Sequence, residues 1–271
     1  YLLPYVFPLF SFNCILYIWK FSRVMNINSN INILGGLPEF DLIKIFLIDS
    51  NNHGKSHLEY SDIRTLKAVK RFKKAIEESF ISENKNINDL FSTFIKEMNI
   101  SENLYYLFLL FSFKNDLFRY LNDTVFFPVY YSGRRIIKKE EVEICLKDLK
   151  KNNETLANWS ESTITTTASK YLTLLKKFGL LNGVQKKEIV YKNLSSEEFL
   201  VFLYFLTIAE ENSNKINSEW IKYSFYENEF FLQKVLEKQL IRYVEVQYNG
   251  DNLKLKPMIK YNKLYEILKS S

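Results

Sequence analysis

Gly54-Lys55-Ser56 is the segment that comes closest to a chemical motif, because a Gly-Lys-Ser between an apolar run and a helix is the end of a phosphate-binding loop. The complete pattern requires a glycine at position 49, and this chain has Asp49 there. No convincing strand that ends in a magnesium-binding aspartate follows. The sequence therefore argues against a nucleotide site.

The two histidines and the paired carboxylates are candidate catalytic or metal-binding groups. His53 and His57 are four residues apart, but Gly54 disfavours a helix between them and no cysteine lies nearby to complete a zinc site. The chain has no Gly-x-Ser-x-Gly elbow, and carboxylate pairs such as Glu140 and Glu141 fall on exposed helix positions. We therefore predict a protein that is not an enzyme and that has no metal, cofactor or small-molecule substrate.

A basic helix over residues 61–80 is the strongest binding feature. Its apolar residues share one face with Ile63, and they are Leu66, Val69, Ile76 and Phe80. Its opposite face carries four cations, which are Arg64, Lys67, Arg71 and Lys74. Like charges in successive turns repel one another, and an ordinary surface helix usually relieves this with interspersed acids. The row predicts contacts to the phosphates of a nucleic acid, and the alternative is a solvated surface helix.

A second binding helix is predicted over residues 160–178, with Ser160 as the residue that caps its first turn. Ile164, Tyr171 and Leu175 lie on its buried side. The polar residues expected to face a nucleic acid are Ser160, Thr163, Thr166 and Lys170. Short hydroxyl side chains followed by a cation suit phosphates and base edges in a major groove. A threonine-rich surface without a ligand is the alternative.

Composition limits the classes of protein that can position these helices. The chain of 271 residues is 47% hydrophobic, with only 7 Gly and 5 Pro, which favours long helices over an all-β fold. Its net charge of +6 is compatible with a polyanionic partner without requiring one. Two cysteines far apart in sequence, Cys14 and Cys145, argue against a disulfide scaffold and for a reducing compartment, so we expect a cytoplasmic protein.

Three segments are predicted along the chain. Residues 1–24 form an apolar leader that is either upstream sequence ahead of Met25, a membrane or peripheral anchor, or a buried segment. Residues 25–132 form a helical domain that includes the basic helix and a helix over 101–121, and the following stretch, 122–131, is expected to end or kink at Pro128. Residues 133–271 form a winged-helix-like domain, because helix pairs are followed by short β-hairpins, the second of which turns at Asn249-Gly250. The predicted fold class is mainly α.

Three stretches carry a resemblance to a known family. Residues 52–80 (NHGKSHLEYSDIRTLKAVKRFKKAIEESF), 120–149 and 159–183 (WSESTITTTASKYLTLLKKFGLLNG) resemble the BrxA family of BREX bacteriophage-exclusion systems, once labelled putative inner-membrane proteins. The resemblance covers roughly residues 37–260, and none of its motifs is catalytic. It implies a helical N-terminal domain, winged-helix-like elements and a non-enzymatic role in binding double-stranded DNA with other BREX proteins as partners. The rival hypothesis is a membrane-anchored or scaffolding module.

Overall fold

The computed structural model describes residues 27–51, 63 and 65–270. Arg64, the Gly-Lys-Ser segment, both histidines and the apolar leader therefore lie outside the described residues. The helices are α1 (Asn30–Leu34), α2 (Asp41–Asn51), α3 (Leu66–Phe80), α4 (Lys85–Glu97), α5 (Ile100–Lys114), α6 (Asp116–Leu121), α7 (Phe127–Tyr131), α8 (Lys139–Asn152), α9 (Glu161–Lys177), α10 (Ser196–Ala209), α11 (Asn228–Val235) and α12 (Leu264–Ser270). The strands are β1 (Ile136–Ile137), β2 (Leu181–Asn182), β3 (Lys187–Ile189), β4 (Val244–Tyr248) and β5 (Leu253–Pro257). Short 3₁₀ turns occupy Glu154–Leu156, Ile221–Ser224, Lys238–Leu240 and Tyr261–Lys263.

Two helices that are apolar on nearly every side form the centre of the fold. Helix α5 buries an unbroken run from Tyr105 to Ser112, and α10 buries an unbroken run from Phe199 to Leu206. A helix that is hydrophobic all round has to be covered all round. Helices α3, α4 and α6 pack on α5, while α4 and β5 pack on α10. The mainly helical class with short antiparallel strands is therefore confirmed.

Helix α3 follows the predicted amphipathic pattern except in its first turn. Phe72, Ala75, Ile76 and Phe80 are buried against the core. Leu66, which was expected on the same face, is 81% exposed. The prediction for Leu66 was wrong because the helix begins at that residue, after the N-cap Thr65, and its first turn extends past the core that covers the later turns.

The stretch 101–131 is divided in two places, and Pro128 is neither of them. Helix α5 stops at Asn115, which has extended backbone angles and accepts a hydrogen bond from Phe118 N at 2.8 Å to cap α6. A π-helical turn, Asn122–Phe126, then links α6 to α7. Pro128 lies in the first turn of α7, where a missing N–H costs no helical hydrogen bond. The expected end at Pro128 was therefore wrong.

The π-helical turn directs the carboxylate of Asp123 into the core. Asp123 lies 3.3 Å from Lys222 Nζ and 3.8 Å from Arg119 Nε, and it accepts a hydrogen bond from Tyr223 OH at 3.1 Å. Burial raises the pKa of this carboxyl, and the two cations oppose the rise. The group links α6 to the 3₁₀ turn Ile221–Ser224, so it joins residues from both predicted domains.

Two small antiparallel sheets complete the fold. In the first, β3 lies between β1 and β2, with Ile136 opposite Glu188 and Leu181 opposite Ile189. In the second, β4 and β5 form the predicted hairpin, whose turn contains Gly250 at φ +96°. Positive φ suits glycine because it has no Cβ.

One hydrophobic core runs through both predicted domains. Phe108 of α5 packs against Phe178, which follows α9, with ring centroids 5.9 Å apart, and against Tyr223 at 5.6 Å. Tyr105 OH donates a hydrogen bond to Tyr223 O at 3.0 Å. In the described part of the chain, none of the helices has the combination of length and apolar character that a membrane crossing requires.

Helix α1, which the sequence did not reveal, holds α3 and α9 together because it packs against both. Asn30 Nδ2 donates to Glu78 Oε2 at 3.2 Å, and Asn32 Nδ2 donates to Thr167 Oγ1 at 3.0 Å. The end of α1 approaches α9 so closely that a Cβ on Gly35 would lie 2.8 Å from Lys170 Cβ.

Replacing Gly35 with alanine should therefore destabilise the protein. The added methyl group would also lie 2.9 Å from two backbone carbonyl oxygens, and overpacking of this kind costs about 1–3 kcal/mol. Urea unfolding followed by circular dichroism measures the free energy. The matched control is Gly36→Ala, because a Cβ there would lie no closer than 3.3 Å to its nearest neighbour, Ile33 O. If Gly36→Ala lowers the free energy of unfolding as much as Gly35→Ala does, the close approach to Lys170 is not the cause of the loss.

Candidate nucleic-acid interface

The first turns of α3 carry an exposed group of cations. Thr65 starts the helix by accepting a hydrogen bond from Ala68 N at 3.2 Å. Lys67, Lys70 and Arg71 then follow with exposed side chains. Among the described residues, no acid lies within ion-pair distance of any of the three. We call Lys67, Lys70 and Arg71 the α3 cation group.

The last turns of α3 are different because acids accompany the cations. Lys73 Nζ lies 3.9 Å from Glu77, and Lys74 Nζ lies 3.7 Å from Glu78. Exposed pairs of this kind are weak, but they lower the local positive potential. Of the predicted row, Lys67 and Arg71 thus face solvent without an acid of the described chain, and Lys74 has one.

Lys70 belongs to the α3 cation group although the sequence analysis passed over it. At 100° per residue it lies about 60° from Lys67 around the helix axis, close enough to share its surface. The structure shows it exposed because the buried residues of this part of α3, Phe72 and Ala75, lie on the other side. The same angular count on the sequence would have found it.

Helix α9 begins as predicted. Ser160 Oγ accepts a hydrogen bond from Thr163 N at 3.2 Å and lies 2.9 Å from Thr163 Oγ1. The predicted buried stripe is confirmed, since Ile164, Tyr171 and Leu175 are almost completely buried. Gly179 closes the helix at φ +75°.

The cationic half of the predicted α9 face is covered by the segment that contains α1. Lys170 is half-buried and its Nζ donates to Gly35 O at 3.4 Å, while Lys177 Nζ donates to Leu37 O. Burial lowers the pKa of Lys177. These two ammonium groups bind carbonyl oxygens of residues that follow α1. Part of their positive charge is therefore compensated inside the protein.

The open face of α9 is rotated from the predicted one. Thr166 is exposed as predicted, and Ser160 is exposed beside its cap, whereas Thr163 is half-buried. The exposed residues that the sequence analysis missed are Ser162, Thr165, Ser169 and Lys176. We call Ser162, Thr165, Thr166 and Ser169 the α9 hydroxyl row. Sequence alone could not choose between two polar faces because α1, which covers one of them, had not been recognised.

The loop between β2 and β3 extends the same surface. Gly183, at φ +81°, lets Lys186 O approach so closely that a Cβ would lie 2.1 Å away. This tight loop leaves Val184 81% exposed and Lys186 exposed. Burial lowers the pKa of Lys187, and the positive charge of Lys176 lowers it further. We call residues 183–187 the wing tip.

One acid stands at the opposite end of α9. Glu161 Oε2 lies 2.7 Å from Lys147 Nζ. The hydrogen bond lowers the pKa of the Glu161 carboxyl and raises that of the Lys147 ammonium. Both groups are exposed, so the pair leaves this end of α9 close to neutral, and the excess positive charge lies towards Lys176 and the wing tip.

Metal-binding groups do not gather in the described part of the chain. No cluster of three His, Cys, Asp or Glu residues there has the geometry of a metal site. Fold and surface together define a mainly helical protein whose exposed polar features are a cation-bearing helix and a helix–hairpin unit.

Comparison of the sequence with models of known protein families identifies its family. The BrxA family model matches residues 56–203, which is more than half of the chain. The chain belongs to the BrxA family of BREX bacteriophage-exclusion systems. No curated protein matches it, and no solved structure does. The match includes α3, α9 and the wing tip.

Removing the Ser160 hydroxyl should destabilise the start of α9. Ser160→Ala loses the hydrogen bond to Thr163 N, and loss of a serine N-cap costs about 1 kcal/mol. The control is Ser162→Ala, which removes an exposed hydroxyl that caps no backbone group of α9. Thermal unfolding measures both variants, and equal losses would show that Ser160 is not the cap.

Proposed function

We propose that this protein is a non-enzymatic component of a BREX phage-defence system that binds double-stranded DNA. The observation that carries the proposal is the α3 cation group, three exposed cations in two helical turns without an acid of the described chain beside them. Cations held on a rigid helix bind phosphates and release the counterions that surround DNA. Because this attraction does not depend on base sequence, it supports general binding to duplexes.

The order of elements around α9 supports the same proposal. Strand β1, helices α8 and α9, and the β2–β3 hairpin follow in sequence, and β1 pairs with β3. This is the order of a winged helix, in which the second helix enters the major groove of DNA. In that placement the α9 hydroxyl row would contact base edges and phosphates, and the wing tip would lie beside the duplex.

The proposed partners and location follow from the ligand. A protein that binds duplex DNA could bring larger BREX enzymes to it, so we propose other BREX proteins as partners. We also propose a cytoplasmic location. Neither α3 nor α9 suits a membrane surface, because the apolar face of each helix is buried in the core.

Replacing the α3 cation group should weaken DNA binding on every sequence. Lys67→Ala, Lys70→Ala and Arg71→Ala together remove about three phosphate contacts, which should lower affinity roughly tenfold or more and reduce the salt slope by about 3. Fluorescence anisotropy with a labelled duplex at several salt concentrations measures both quantities.

The control for that variant removes three exposed lysines from other surfaces. Lys238→Ala, Lys254→Ala and Lys260→Ala cause the same change in net charge outside α3, α9 and the wing tip. This control should bind almost as the wild type does. If the two triple variants lose affinity equally, only net charge matters, and the assignment to α3 is wrong.

Removing hydroxyls from α9 should have a different signature. Ser162→Ala with Thr166→Ala deletes neutral hydrogen-bonding groups, so affinity should fall a few-fold while the salt slope stays unchanged. The same titrations measure the effect. Thr155→Ala, an exposed hydroxyl before α9, is the control. An unchanged affinity in the double variant would remove α9 from the interface.

A further inference from the structure

The two most exposed large apolar side chains of the described residues lie on α3 and in the wing tip, which are the two elements that carry exposed cations. Leu66 and Val184 are each 81% exposed, more than any other large apolar residue in that part of the chain. Leu66 immediately precedes Lys67 in the first turn of α3, and Val184 lies in the wing tip with Lys186. Single exposed apolar residues are common, so the observation that carries the inference is that both of these lie beside exposed cations.

Chemistry limits what such a pair of features can meet. The cations favour an anionic partner. An apolar side chain among the cations favours a partner that also has an apolar surface beside its anionic groups. Duplex DNA offers this in its minor groove, where sugars and stacked bases lie between two phosphate strands. Proteins that bind there insert apolar wedges between base steps and kink the duplex.

We infer that Leu66 and Val184 are wedges that enter the minor groove and bend the DNA. The inference rests on the proposed function and deepens it, because it assigns DNA deformation to two named side chains. The cations beside each wedge hold the phosphates on either side, and the wedge unstacks the step between them. Unstacking is easiest at flexible pyrimidine–purine steps, so binding should favour duplexes that contain them.

An anionic membrane is the competing partner, since cations with an apolar side chain also suit lipid headgroups. A helix that lies on a membrane buries a whole apolar face there. The apolar face of α3 is used inside the protein, where Phe72, Ile76 and Phe80 are buried, and Leu66 alone points outward. A single side chain matches a wedge between two bases better than it matches a lipid surface.

The test measures bending and affinity separately on the full chain. A duplex of about 30 base pairs with a fluorophore at each end and a central TA step reports the bend by energy transfer, and anisotropy reports affinity. The wild type should bend the duplex by about 20–90°. Leu66→Ser and Val184→Ser should each reduce the bend while the affinity stays within about threefold, since neither variant removes a cation.

Phe230→Ser is the matched control. Phe230 is 61% exposed on α11 beside Glu229, away from the cationic elements, so its replacement should leave the bend unchanged. An equal loss of bending in this control would overturn the inference. If Leu66→Ser or Val184→Ser bends DNA as much as the wild type does, the inference is wrong for that side chain.

Three further outcomes separate the inference from its alternatives. Wild-type binding without any bend overturns the wedges and leaves the proposed function intact, whereas absence of duplex binding overturns both. Sedimentation with vesicles of phosphatidylcholine and phosphatidylglycerol tests the membrane. Vesicle binding that Leu66→Ser abolishes, together with a duplex bend that it leaves unchanged, would assign Leu66 to lipid and overturn its role on DNA.

Discussion

Helix α5 sets the constraint on which the rest of the structure depends, because it is apolar on every side. Its residues from Tyr105 to Ser112 are buried without a break, and only a complete cover of other helices can achieve this. Helices α3, α4 and α6 and the ring of Phe178 supply much of that cover. The amphipathic helices α3 and α4 bury their apolar faces against α5, which leaves their polar faces in water. The charged surface is thus a consequence of the core.

The same constraint decides which polar groups remain free. The segment that contains α1 closes the space between α3 and α9, and its Gly35 and Leu37 carbonyl oxygens accept hydrogen bonds from the ammonium groups of Lys170 and Lys177. The positive surface therefore remains at the start of α3 and beyond the end of α9, with a row of hydroxyls on α9 itself. A polyanion that contacts both regions would meet a rigid unit, since α1 packs on both helices.

Local signals in the sequence predicted much of the fold. The cap at Ser160 and the turn at Gly250 depend on neighbouring residues only, and the structure has them as expected. Signals that depend on distant contacts failed. The exposure of Leu66 and the covering of Lys170 could not be read from periodicity, which shows that a helix has two faces but not which element covers each. The exposure of Thr166 was predicted correctly, and the exposed neighbours Thr165 and Ser169 were missed for this reason.

The most direct measurement of the central claim is a titration of the wild-type protein with a labelled duplex at low and at physiological salt. The account predicts saturable binding whose logarithmic affinity falls linearly with the logarithm of the salt concentration, with a slope of about −3 or steeper from the α3 cation group and the lysines of the wing tip. No binding at low salt, or an affinity that salt does not change, would contradict the claim that these exposed cations hold the phosphates of DNA.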